Sequence, residues 1–368
     1  MISSNYFIDL FKSSSVVIEL VWILIVILIA SIIAVLIYLK FLRTILRRNE
    51  KSKKTLGKEF ETKIITYLYS ADEDSDKISS EQQLIIEDLK KETSKEYRKD
   101  ILIATMLKLS YEISGEMANS INKLYVETSL LEHSLWKIKN KKWNLIAEGI
   151  RELTLFEVKE VEDLVKKHIN HPKSEVRSVI QLYLVSLFHF KGLDFLNDIK
   201  TPISEWDQIQ LLEVLQLLKT QEISGINNWL KSSNESVVIF SLKMAKIYNR
   251  YGAKDELISL LKHPSLAVRI QAIEVISHLS IIEAKPELIG NFDELAIEEQ
   301  IAFFTMMENT YEVTDKPFIL DNIQNPNFEI KFSALTILKE LSLEDFNSFK
   351  VLSVDPDFVK IIKHLELN

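Results

Sequence analysis

The sequence predicts an all-α protein: an N-terminal transmembrane helix followed by an α-solenoid of stacked helix pairs. Three observations carry this expectation. Leu20 to Leu39 is an unbroken run of uncharged, mostly apolar residues. Only 7 Gly and 7 Pro occur in 368 residues while Leu, Ile, Glu and Lys dominate, a balance that suits helices and leaves few turn residues for strands. From Lys141 onward the chain is self-similar at a period of about 31 residues, the mark of a repeat architecture.

Residues 1–15 are expected to form a short extracytoplasmic N-terminus and residues 16–39 the transmembrane helix. Twenty helical residues span about 30 Å, the hydrocarbon thickness of a bilayer, and satisfy every backbone polar group internally. Trp22 and Tyr38 stand near the two ends, where amphipathic rings favour the headgroup level. Lys12 is the one basic residue before the run, whereas Lys40, Arg43, Arg47, Arg48, Lys51, Lys53, Lys54 and Lys58 follow it. The positive-inside rule therefore puts the N-terminus outside and the bulk of the chain in the cytoplasm. A cleaved signal peptide would need a basic leading region, a shorter apolar stretch and a small-residue cleavage site, and the run has none of these. Residues 40–57 read as a basic juxtamembrane linker attracted to anionic lipid heads.

Charge is split along the chain. Residues 1–60 carry 9 Lys+Arg against 4 Asp+Glu, a net of +5, and the remainder 36 against 49, a net of −13. A body this acidic excludes general nucleic-acid binding, because phosphate neutralisation needs clustered cations. There is no cysteine, so disulfides, thiolate metal sites and a Cys nucleophile are excluded, in keeping with a reducing cytoplasm. The Lys-, Ile- and Asn-rich makeup fits an AT-rich bacterium, and a bacterial inner membrane is the expected location.

Residues 58–140 are expected to form a helical spacer or an N-terminal cap for the solenoid, since an end unit must present a polar outer face. KEFETKIITYLYS and EQQLIIEDLKKE read as two helices around the acidic loop ADEDSDK, and residues 97–138 as two long helices.

Residues 141–368 carry the repeats. Four segments read alike: HPKSEVRSVIQLYLVSL from His171, SSNESVVIFSLKMAKIY from Ser232, HPSLAVRIQAIEVISHL from His263 and NPNFEIKFSALTILKEL from Asn325. Each opens with a polar or Pro-containing turn and continues as a helix whose apolar residues recur at three and four. Arg177, Val238, Arg269 and Lys331 are equivalent, at spacings of 61, 31 and 62. Weaker copies begin near Lys141, Thr201, Asn291 and Asp355, and shorter apolar-periodic segments (VEDLVKKHI, ISGINNWLK, KDELISLLK, KPFILDNIQ) lie between copies. The unit is thus short helix, turn, longer helix. A plain helical bundle is the alternative, but a bundle has no reason to repeat at a constant period.

These units resemble HEAT repeats. The resemblance is best in LISLLKHPSLAVRIQAIEVISHL, residues 257–279, through Val268, Arg269, Ala272 and Ile276, and extends over about residues 141–366. It implies a right-handed solenoid of the armadillo type whose concave face binds proteins. The family's usual Asp early in the turn is replaced by His263, His171 or Asn325, and its Arg is kept at Arg177 and Arg269. In the family these residues mostly tie neighbouring units together.

Chemistry-bearing patterns are few. Asp72, Asp74 and Asp76 have the spacing that opens an EF-hand loop, but Lys77 and Gln83 stand where Gly and a bidentate Glu are needed, which leaves a solvated acidic loop. His168 and His171 are three apart, yet Pro172 follows and no third ligand completes a metal site. His189, His263 and His278 read as packing or surface residues. Lys137 to Lys142 lies between Trp136 and Trp143; lysines among aromatics can bind nucleic acid, but a solvated turn with two core tryptophans is the expectation. Phe303-Phe304 and Met306-Met307 read as core. No Walker loop, GxGxxG, GxSxG or HExxH occurs. No catalytic, cofactor or metal residue is assigned, and the chain is not expected to be an enzyme. The functional expectation is a membrane-anchored cytoplasmic scaffold or adaptor. It would bind protein partners on the concave face and the membrane through residues 16–39 and basic 40–58. The alternative is a ligand- or ion-responsive regulatory subunit of a membrane enzyme or transporter.

Overall fold

The structure is a computed structural model that describes residues 16–70, 78–113, 115–218, 223–352 and 356–367. Every regular element among the described residues is a helix. The chain divides into two compact units, Met1–Leu135 and Trp136–Asn368.

In the first unit α1 (Val16–Tyr69) runs 54 residues without a break. The apolar run, the basic stretch and KEFETKIITYLYS are therefore one helix rather than span, linker and helix. Between Leu39 and Tyr69 the sequence offers no Pro and a single Gly. That Gly57 sits where the helix carrying Thr105 crosses, with Thr105 Oγ1 at 3.6 Å from the position a Cβ would take. Residues 20–39 of α1 leave their apolar side chains bare. Farther along, Phe60, Ile64 and Tyr67 are buried, packing with α2 (Ser80–Glu92), α3 (Glu96–Glu112) and α4 (Glu116–Glu127). Residues 97–138 form three helices, not two: α3, α4 and α5 (Leu130–Ile138). Gly115 at φ 70° is the N-cap of α4, and Ser129 at φ 58° takes the positive φ that ends that helix.

The second unit alternates long and short helices. The long ones are α6 (Trp143–Leu155), α8 (Ser174–Phe188), α9 (Glu205–Gln216), α11 (Glu235–Ile247), α13 (Leu266–His278), α15 (Ile297–Thr310), α17 (Phe328–Leu341) and α19 (Pro356–Leu367). The short ones are α7 (Glu162–Lys166), α10 (Ile226–Trp229), α12 (Lys254–Ser259), α14 (Lys285–Gly290), α16 (Lys316–Asn322) and α18 (Leu343–Leu352), with a 3-10 helix, His189–Asn197, between α8 and α9. That 3-10 segment needs Gly192, where a Cβ would meet the Leu184 carbonyl oxygen at 2.1 Å. Most long helices pack on the next: α6 on α8, α8 on α9, α11 on α13, α13 on α15, α15 on α17 and α17 on α19. Lys243 Nζ donates to Gln208 Oε1 at 2.9 Å to join α9 and α11. Polar links between helices also fall about one period apart: Trp229 to Asn197, Asn234 to Thr201, Lys254 to Glu283, Arg269 to Glu299 and Lys285 to Asp315 span 29 to 33 residues.

Candidate interaction face

The turn before five of the long helices, α6, α8, α11, α13 and α17, is built the same way. The backbone N–H groups of Lys142, Lys173, Asn234, Ser265 and Asn327 donate to a side-chain acceptor two residues earlier: Asn140 Oδ1, His171 Nδ1, Ser232 Oγ, His263 Nδ1 and Asn325 Oδ1, at 2.9–3.1 Å. A short side chain bonding the backbone two residues on fixes the turn that launches the long helix. The histidines and Asn325 thus supply the acceptor that an Asp would. Arg177 and Arg269 close their own turns, their guanidinium NH1 groups donating to the carbonyls of His171 and Pro172 and of His263 and Pro264. Arg269 also reaches the next repeat, pairing with both carboxylate oxygens of buried Glu299 at 2.7 and 3.1 Å. Three of the long helices, α6, α11 and α13, end alike. Glu157, Asn249 and Ser280 take positive φ, and the next residue donates five back, Val158 to Leu153, Arg250 to Ala245 and Ile281 to Ile276, the Schellman geometry usually given to Gly.

The launching turns fix how α11, α13 and α17 start, and one repeat position on these helices and on α15 is left half-exposed. One position after the Arg177 and Arg269 equivalents stand Ile239, Ile270, Ile301 and Phe332, 31 residues apart each time and all half-buried. Four residues farther on come Lys243, Glu274, Thr305 and Thr336. Ile270, Ile301, Ala302 and Thr305 line one shallow groove of about 470 Å³ across α11, α13 and α15, edged by Lys246, Glu274, His278 and Glu298. The face is an apolar row with charges beside it. The signal was present in the sequence as the constant spacing 239, 270, 301, 332, and sequence reasoning, attentive to the buried positions, passed over it.

The other sequence candidates do not assemble into a site. Asp72, Asp74 and Asp76 lie outside the described residues. The His168 and His171 rings stand 6.4 Å apart, tilted, and His171 Nδ1 is engaged in its turn. Burial pushes the His168 pKa down, with His171 and Lys167 adding to the shift. Trp136 and Trp143 are not core residues: they are 42% and 40% exposed. Lys137 of the same loop is instead 1% exposed and bonds Glu148 at 2.8 Å and Glu152 at 2.6 Å. Phe303, Phe304, Met306 and Met307 are fully buried.

Among the described residues two helical segments are apolar and long enough to cross a membrane: that beginning at Leu20, at mean hydropathy 3.4 and with its apolar stretch unburied, and Ser174–Asn197, at 1.3 and mostly buried in the second unit. No protein-family model matches the sequence, and no curated protein matches it.

Proposed function

We propose that the protein is a membrane-anchored scaffold: a HEAT-like, right-handed solenoid held at the cytoplasmic face by residues 16–39, its concave face recruiting protein partners. The carrying observation is the row Ile239, Ile270, Ile301 and Phe332, left half-exposed at one repeat position on successive long helices. A helix bundle closed on itself would bury such a row, whereas a solenoid leaves the second helices of its units to line an extended surface. The turn acceptors at His171, His263 and Asn325 support the HEAT-like reading, since they fill the role of the family's Asp. The bare apolar helix followed by basic residues supports a single-pass anchor with the N-terminus outside and the body in the cytoplasm. The reading is recruitment of protein partners.

The test is cross-linked affinity purification of the full-length protein from its native membranes, beside the I270E/I301E variant. Both positions are half-exposed, so the variant keeps its helicity. A dominant protein partner lost in the variant supports the scaffold. A partner set unchanged by the substitutions refutes the assignment of this face.

A further inference from the structure

A groove in the first unit runs beside α1 just beyond the proposed span. Its volume is about 1100 Å³, and it is lined by residues 46–59 of α1 and the start of α3. Leu46, Leu56 and Ile101 supply an apolar lining, and Arg48, Lys51 and Arg98 bring cations to it, with Glu50 and Glu59 at its sides. Arg48 and Lys51 are exposed and enter no ion pair among the described residues, while Arg98 NH1 donates to the Glu92 carbonyl at 2.9 Å. Unpaired cations beside exposed Leu46 and half-buried Leu56 are matched by an amphiphile with an anionic head.

Height favours a membrane source. On a continuous helix Leu46 and Arg48 rise about 10 and 14 Å beyond Leu39, against a headgroup layer of about 5–8 Å. Side chains on a helix lean toward its N-terminus, here toward the bilayer, so Arg48 reaches down across the difference while its aliphatic stem stays against the groove. We infer that this groove binds the phosphate headgroup of an anionic phospholipid, with Arg48 and Arg98 as the principal phosphate ligands. Arginine suits the task because its planar fork can hold two phosphate oxygens at once. The inference rests on the anchor reading, because without a bilayer at Leu39 the groove has no lipid below it.

The experiment uses the full-length protein in nanodiscs of mixed phosphatidylcholine and phosphatidylglycerol, reading the lipid retained per protein by native mass spectrometry. Wild type is expected to retain phosphatidylglycerol preferentially, R48Q/R98Q to lose about tenfold of that retention, the worth of a charge-assisted bond, and K108Q, on the other flank of α3, to keep it. Equal retention by wild type and R48Q/R98Q overturns the site. Displacement of the lipid by glycerol phosphate alone overturns the lipid source in favour of a soluble phosphate ester. Should R48Q/R98Q lose helicity, K51Q at an exposed position carries the same comparison. Alkaline carbonate extraction of wild type separates the two readings: release from the membrane fails the anchor, whereas firm retention without lipid preference fails the groove alone.

Discussion

Arg269 and Glu299 offer the sharpest test of how the repeats are coupled. Glu299 keeps only 2% of its side chain exposed and Arg269 23%. Replacing Arg269 with Met strips a buried carboxylate of its partner and releases the carbonyls of His263 and Pro264, a loss of about 3–5 kcal/mol. Replacing Glu299 with Met leaves a guanidinium that still reaches water and its own turn. The cost there is about 1–2 kcal/mol, including the bond from the Ala296 N–H to Glu299 Oε2. The double variant R269M/E299M removes both charges and fills the space with apolar volume, so it should recover most of the loss, as buried pairs replaced by hydrophobic residues commonly do. The assay is urea unfolding of the full chain in detergent, followed by far-ultraviolet circular dichroism and by tryptophan fluorescence so that coincidence of the two probes can be checked. An R269M cost below about 1 kcal/mol, or a double variant as unstable as the two losses added, would refute the view that this pair ties α13 to α15.

Two further outcomes follow from the turns. Ser280 sits at φ 53°, a conformation that costs a non-glycine residue about 1–2 kcal/mol, partly offset in a glycine by about 0.4–1 kcal/mol of unfolded-chain entropy; S280G should therefore raise the melting temperature, and a fall would show that the Ser side chain contributes more than the strain. His168 has its pKa held below 6.5 chiefly by burial, so the unfolded chain binds its proton more readily: stability should be complete above about pH 6.5 and decline as pH falls through the folded pKa, and H168Q should remove that slope in unfolding midpoints measured across this range.

The helical class and the alternation of long and short helices were legible because both rest on local pattern: apolar residues at three and four, Pro and polar residues at the turns. The acceptor at Asn140 and its equivalents was visible as a position but not as a function, since His, Ser and Asn share only a lone pair in reach of one N–H. Three features were hidden for physical reasons. The continuity of α1 depends on the absence of a stop signal, which a motif search does not register. The breaks at Ser129 and Ser280 use left-handed residues that carry no glycine to announce them. The exposure of Trp136 and Trp143 contradicts their hydrophobicity because Lys137, between them in the fold's local order, takes the buried place through two carboxylates. The interaction face stayed unread for a related reason: Ile270 and Ile301 look like core residues until the fold shows which side of each helix faces inward.

Continuity of α1 also decides what the basic stretch can do on the anchor reading. Lys40, Arg43, Arg47, Lys51, Lys54 and Lys58 recur at three and four and so share one face of the helix, all of them exposed. A flexible linker could fold all six onto the bilayer. A rigid helix cannot, since these residues climb from about 2 Å to about 28 Å beyond Leu39, while attraction to the lipid surface fades over a screening length of about 8 Å. Lys40 and Arg43 then serve the headgroups, and Lys54 and Lys58 stand clear of them. Arg48 and Lys51 fall at the crossover, too high for the general surface and low enough to meet a headgroup drawn out of it. That is where α3 begins and where the groove opens, so the height that removes the upper cations from the membrane is the same height that gives the groove its ligand.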